Sequence, residues 1–321
     1  MIPLSIFLAQ RLTTLAVTLL AASLVVFLVL EVLPGDPAAM MLGVNARADT
    51  LEALRSQMGL DRPAWQRYLD WLLGLARGDL GRSFTYDVPV SELIAGRLAV
   101  SLPLAVLAMA LSVAIAIPLG VLAAARRNSP SDLAIAVFAQ IGIAVPNFWF
   151  AILLVLLFSV TLGWLPAGGF AGWEAGPVAV LKSLILPVIA LALPQAAILT
   201  RVTRSSVLEV LGEDYLRSAR AKGLSRRAAL WGHALGNALI PVVTIMGLQF
   251  SFLLAGTVII ENVFYLPGLG RLLFQAIAQR DLIVVKDVVL LLAAAVVIVN
   301  FAVDLLYGVL DPRLRRGGRY G

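Results

Sequence analysis

Residues 209–223, reading EVLGEDYLRSARAKG, carry the most specific local pattern in this chain, and its chemistry is docking rather than catalysis. Gly212 permits a break after the preceding helix. Glu213 and Asp214 then stand where the positive end of a new helix favours negative charge. Tyr215 to Lys222 makes about two turns rich in Ala and Arg, and Gly223 suits a left-handed stop. Arg220 and Lys222 complement the negative end of that helix. Ser225 reads as the N-cap of a second helix over 225–239. A short cationic helix bounded by glycines can seat in a groove of another protein. A basic loop resting on anionic lipid headgroups is the plainer alternative, and residue chemistry alone divides the two evenly.

Catalytic constellations are missing. The chain has no Cys and one His, His233, which excludes a disulfide framework and a Cys/His zinc or iron–sulfur site. There is no GK dipeptide, so no phosphate-cradling loop with its lysine. No G-x-S-x-G or H-E-x-x-H occurs either, which argues against hydrolysis. The remaining polar candidates lie in apolar surroundings. Gln140, Asn147, Gln195 and Gln249 are amides inside long apolar runs, where a polar group faces a cavity or another helix. Pro146 precedes Asn147, and Pro187 and Pro194 precede Gln195. Prolines free carbonyls and kink helices, so these amides are candidate linings of a passage. Farther on, Pro267, Gly268 and Gly270 interrupt helix while 271–278 can start one. With Glu261 they form a candidate outer gate or docking surface, an ordinary external loop being the bland reading.

Six long apolar runs must position these groups, at 12–33, 98–125, 133–162, 178–199, 239–260 and 282–310. A bilayer core of ~30 Å needs roughly 20 apolar residues at helical rise, and every run meets that length. The chain is 60% hydrophobic and 14% charged, with a mean hydropathy of +0.94. Soluble domains carry about 25% charged residues, so the expected class is an all-α polytopic membrane protein with six transmembrane helices.

The net charge of +6 is not spread as a nucleic-acid surface would be. Thirteen of the 25 Lys/Arg fall at 126–127, 201–227 and 313–319, in alternate loops. The positive-inside rule places those loops and both termini in the cytoplasm. Segment 34–97 carries seven Arg but also eight acids, and is long enough to escape the rule. Within it Trp65, Tyr68, Leu69, Leu72, Leu73 and Leu75 recur at helical spacing around Arg67 and Asp70, which predicts an amphipathic helix on the outer face or in the interface. Trp71 and Phe84 suit the headgroup level.

The run Asp214, Tyr215, Leu216, Arg217, Ser218, Ala219, Arg220, Ala221, Lys222, Gly223, Leu224 resembles the cytoplasmic loop of permease subunits of ATP-binding cassette importers, in their dipeptide/oligopeptide/nickel branch. That branch carries a pattern close to D-Y-[VI]-R-T-A-R-A-K-G-L. LPGDP at 33–37, GLDRP at 59–63 and GDLGRSF at 78–84 resemble its outer segment. ENVFYLPGLGRLL at 261–273, RD at 280–281 and DPRLR at 311–315 resemble its C-terminal third. Gly236 stands before Asn237 where the branch often has Arg.

The resemblance implies a type I ABC importer transmembrane domain in a bacterial or archaeal cytoplasmic (inner) membrane. It implies a first helix with an external amphipathic segment over 1–97, a five-helix core over 98–312 with a coupling loop at 208–224, and a basic tail at 313–321. The ATPase-coupling interface it implies comprises Asp214, Tyr215, Arg217, Ser218, Ala219, Arg220, Ala221, Lys222 and Gly223. The implied partners are a second homologous permease, two ATP-binding subunits that hold ATP and Mg, an extracytoplasmic solute-binding protein and membrane lipid. No cofactor, enzymatic activity or nucleic acid is expected for this chain. The transported class would be peptides or similar small solutes. The rival classes are a secondary transporter or channel, which predicts titratable groups at mid-membrane, and a non-transporting membrane scaffold.

Overall fold

A computed structural model of the chain describes residues 4–32, 37–42, 47–221 and 223–310. LPGDP therefore falls largely outside the described residues, and so do Lys222, DPRLR and the basic tail. In chain order the helices are α1 (Leu4–Val32), α2 (Pro37–Leu42), α3 (Ala48–Gln57), α4 (Ala64–Arg77), α5 (Val90–Ala125), α6 (Pro130–Ala144) and α7 (Asn147–Leu154). They continue as α8 (Pro177–Leu211), α9 (Asp214–Ala221), α10 (Arg226–Ala229), α11 (Leu235–Val263), α12 (Leu269–Ala278) and α13 (Leu282–Leu310). Wider π turns at Val155–Thr161 and Leu230–Ala234 extend α7 and join α10 to α11. Among the described residues the only extended pairing is an isolated bridge between Arg82 and Pro89.

Among the described residues, five helices are long and apolar enough to cross a membrane, and a bent pair brings the number to six if it is one span. The expected all-helical, multi-pass class is what the fold shows. The third apolar run is broken at Pro146, where a kink was expected, and the bend is large. It is two helices, α6 and α7, set at 102°. Pro146 has no N–H to continue α6, and its ring bars the preceding residue from helical backbone. Val145 is accordingly extended at φ −84°, ψ 122°. Pro187 and Pro194 act differently, for α8 runs unbroken through both over 35 residues.

The chain divides into two compact units. The first holds 101–266 and 298–321, and α8 is its axis: α6, α7 and α11 all pack on it. Small residues let these helices approach closely. A β-carbon on Gly120 would stand 2.5 Å from Cβ of Thr203, and one on Gly142 would stand 2.7 Å from Cβ of Ala197. The Ser112 hydroxyl lies 2.7 Å from the Ala108 carbonyl of its own helix and 3.0 Å from that of Ala192 on α8. At the start of α6, Ser129 caps the helix by accepting from the Asp132 N–H. Asp132 in turn receives both arms of Arg204 from α8.

The second unit holds 5–100 and 267–297. Its core places Leu269, Leu272 and Ala276 of α12 against Val284, Val285 and Val288 of α13 and Val90 and Ile94 of α5. The spacing is three or four residues on α12 and four on α5, and Val284 and Val285 both lie within a turn of Val288, so each helix turns one face inward. The predicted amphipathic helix is α4, with Trp65, Leu69 and Leu73 exposed, and Gly78 ends it in left-handed backbone at φ 77°. Trp71 is not on that exposed stripe. It is 7% exposed, its Nε1–H donates to Asp287 at 2.7 Å, and its ring joins Phe27 and Tyr68. A buried indole N–H needs an acceptor, and the Asp287 carboxyl supplies it. The Tyr68 hydroxyl shares a hydrogen bond of 2.9 Å with Ser23. Asp281 is fully buried at the head of α13 and accepts from the Ser83 hydroxyl at 2.5 Å and the Thr85 N–H at 3.1 Å. On the surface of the 82–89 turn, the Arg82 guanidinium donates to Asp87 at 2.6 Å and holds that carboxyl below its usual range.

Candidate functional site

The segment singled out for docking is a discrete helix. Gly212 ends α8 and its N–H returns to the Glu209 carbonyl at 2.9 Å, so only two residues separate α8 from α9. Asp214 occupies the first turn of α9. Gly223 lies past its end at φ +99°, backbone that costs an L side chain about 1 kcal/mol or more. Ser225 caps α10, its hydroxyl accepting from the Ala228 N–H at 3.2 Å.

Two side chains tie α9 to the rest of its unit. Leu216 is 1% exposed and packs with Val121 and Ala124 of α5, Val207 of α8, and Ala229, Leu230, Ala234 and Ala238. Asn237 of α11 donates its amide to the Tyr215 hydroxyl at 2.9 Å. Asp214, Tyr215, Ser218 and Ala221 are exposed. The side chains of Arg217, Ala219 and Arg220, like Lys222, lie outside the described residues. Among its described side chains, α9 turns Leu216 inward and Asp214, Tyr215, Ser218 and Ala221 outward. Displacing it must disturb the ends of α5, α8 and α11 that pack with Leu216, because close-packed interiors transmit strain.

The four amides are not in one kind of environment. Gln140 is exposed and Asn147 half-buried on either side of the α6–α7 break. The Asn147 amide nitrogen lies beside α11, 3.8 Å from where a β-carbon on Gly256 would stand. Gln195 and Gln249 are 7% and 6% exposed on α8 and α11, and the buried Gln195 Oε1 has no hydrogen-bond partner. Glu261, Pro267, Gly268 and Gly270 fall into different units. Glu261 is fully buried and accepts from the Ser101 hydroxyl of α5. Gly268 is extended just before α12, whereas Gly270 lies inside it, so the helix begins at Leu269, two residues earlier than the glycine pattern suggested.

Three polar contacts were not read from the sequence. Asp132 with Arg204, Trp71 with Asp287, and Ser83 with Asp281 join residues 72, 216 and 198 positions apart. A signal was present for Asp287, a carboxylate inside a long apolar run, where ionisable residues are rare and paired.

The comparisons with known proteins agree with this geometry. The family model of binding-protein-dependent transport system inner membrane components matches residues 116–316. That of the N-terminal region of such membrane components matches 4–105. A protein of Brucella abortus (strain 2308), whose name assigns it to a peptide transport system as a permease, is 47% identical over 297 residues, 92% of this chain and 95% of its own length. The glutathione transport system permease protein of Escherichia coli (strain K12) is 40% identical over 309 residues, 96% of this chain and 98% of its own. Among solved structures, a chain of the inward-facing MetNI methionine ABC transporter matches with a TM-score of 0.57 at 18% identity, over 69% of this chain and 97% of that one. A chain of an amino acid ABC transporter solved with histidines gives 0.52 at 17% identity, over 70% and 94%. With family models over both parts of the chain, and the same helical fold in transporter membrane domains, the protein belongs to the binding-protein-dependent transport system inner membrane components.

Proposed function

We propose that this permease forms, with a second homologous permease, the translocation pathway of an ATP-driven importer for peptides or similar small solutes. The basic loops and both termini face the cytoplasm of a bacterial or archaeal cell, as their charge supports. Two ATP-binding subunits hold ATP and Mg and contact α9, and an external solute-binding protein delivers the substrate. This chain supplies no nucleotide site and no catalysis. The relatives' names support the substrate class, since they refer to peptide and glutathione transport.

The observation that carries the reading is the build of α9: a two-turn helix, exposed on Asp214, Tyr215 and Ser218 and anchored by buried Leu216 to α5, α8 and α11. In this reading the ATPases close on ATP, α9 moves with them, and Leu216 passes the displacement to the spans. Transport follows from biasing two packings of the helices, not from chemistry in this chain. Gln140, Asn147, Gln195 and Gln249 line the pathway in one of those packings. Glu261, Pro267, Gly268 and Gly270 serve the outer gate or the docking of the binding protein.

The test is crosslinking from α9 in the assembled transporter. Cysteine at Ser218 or Ala221 is unambiguous because the chain has none of its own. Both positions should capture an ATP-binding subunit, and transport in proteoliposomes should require ATP. Capture of lipid alone, or uptake without ATP, would sink the proposal.

A further inference from the structure

The transport reading leaves unexplained a cavity of about 390 Å³ in the second unit, next to α4. Its wall combines apolar Phe27, Leu30 and Ile283 with the cations Arg62, Arg67 and Lys286. Two of those cations have carboxylates, Arg62 with Asp70 at 3.2 Å and Arg67 with Glu31. Lys286 has none within ion-pairing distance among the described residues, and its ammonium rests 5.0 Å over the Trp71 ring. The Arg67 guanidinium is also unsaturated, for its buried Nε has no hydrogen-bond partner. Arg67 and Lys286 both line this wall. Asp79, the third acid on the wall, already accepts from the Gly81 N–H at 2.8 Å. Lys286 and Arg67 on this wall suit an anion with several acceptor oxygens.

The depth of the cavity is set by a separate observation. The apolar span of α1, Ala9–Glu31, ends on this wall, and that of α13, Leu282–Val303, begins on it. Hydrocarbon gives way to headgroups where apolar spans stop. On α4, Trp65, Leu69 and Leu73 are exposed at 63%, 47% and 53%, an apolar stripe suited to lying in that boundary. We propose that the cavity binds the phosphate of a membrane phospholipid. Lys286 is its direct partner, the Arg67 and Arg62 guanidinium groups face it, and the acyl chains run down the apolar flank of α1. This site is independent of the coupling role of α9.

The test uses the full chain in its assembled transporter, reconstituted in nanodiscs with trace phosphatidylglycerol carrying a photoreactive group at the headgroup. Label should map to residues 56–84 and 282–286. Lys286→Gln should lower it about tenfold, the factor carried by a hydrogen bond to a charged group, and Lys286→Arg should retain it. Labelling confined to other helices, or equal in wild type and Lys286→Gln, would overturn the site. Displacement of the label by inorganic phosphate would show a free-anion site and overturn the lipid assignment. If Lys286→Gln fails to assemble, the wild-type map decides alone.

Discussion

Arg204 holds Asp132 through two parallel hydrogen bonds, Nε to Oδ1 at 2.7 Å and Nη2 to Oδ2 at 2.8 Å. The same carboxylate accepts from the Asn128 N–H at 2.9 Å. One acid thus ties the turn before α6 to the far part of α8. The side chains differ in exposure, 8% for Asp132 and 33% for Arg204, so the two halves of the pair are not equivalent. Arg204→Ala strands a buried carboxylate and should cost about 2–3 kcal/mol, toward the lower side for a buried pair because the arginine is partly wet. Asp132→Ala leaves a cation that can reach water and should cost less. Thermal unfolding of the purified variants should rank Arg204→Ala below Asp132→Ala, with the double variant recovering part of the loss. Equal midpoints for the singles would refute the asymmetry.

Leu216 is the buried anchor of α9, so Leu216→Ala opens a cavity worth about 2–5 kcal/mol if it stays dry. Insertion and folding of the spans should survive, since Leu216 is the one buried side chain among those described on α9. ATP hydrolysis by the complex should persist while uptake per ATP falls. Proportionate loss of both activities would argue that Leu216 serves assembly instead.

Gly223 has open space around its α-carbon, so a substitution there tests backbone alone. At φ +99°, Gly223→Val should be strained by about 1 kcal/mol or more. Gly223→Asn should be milder, because Asn tolerates positive φ better. The expected order in coupled transport is wild type, Asn, Val. A valine variant as active as wild type would remove any need for the left-handed stop.

Gly247 and Val303 make the tightest small-residue contact in the first unit: a β-carbon on Gly247 would stand 1.9 Å from the valine Cγ2. Gly247→Ala should therefore destabilise by about 1–3 kcal/mol through overpacking. Val303→Ala removes the offending methyl groups and should restore part of that stability. The readout is thermal midpoint, and failure of the second change to help would mean the helices shift rather than clash.

Trp71→Phe keeps the ring cluster but leaves buried Asp287 without its indole donor. Leaving that buried acceptor without its donor should cost about 1–3 kcal/mol. Asp287→Asn keeps an acceptor for the indole and removes a carboxylate whose Oδ2 already lacks a partner, so it should be tolerated better. Thermal midpoints in the reverse order would contradict the assignment of Trp71 as donor.

The membrane class, the approximate spans and the short helix α9 were legible in the sequence, because each depends on short-range physics. Hydropathy over about 20 residues marks a span wherever the chain goes. The two-turn α9, its terminal Gly223 and the Ser225 cap follow from neighbours a few residues away. The broken third run was half legible. Pro146 announced a kink, but its 102° size depends on what packs around α6 and α7. Tertiary structure alone decided the pairings of Asp132 with Arg204, Trp71 with Asp287, and Leu216 with α5 and α11. Each joins residues remote in sequence, where no local propensity says which acid meets which cation or which tryptophan is buried. It also decided the fate of the amides, since burial of Gln195 and exposure of Gln140 depend on which helix face meets α8's neighbours. One-dimensional hydropathy records how apolar a helix is, and only packing chooses its inward side.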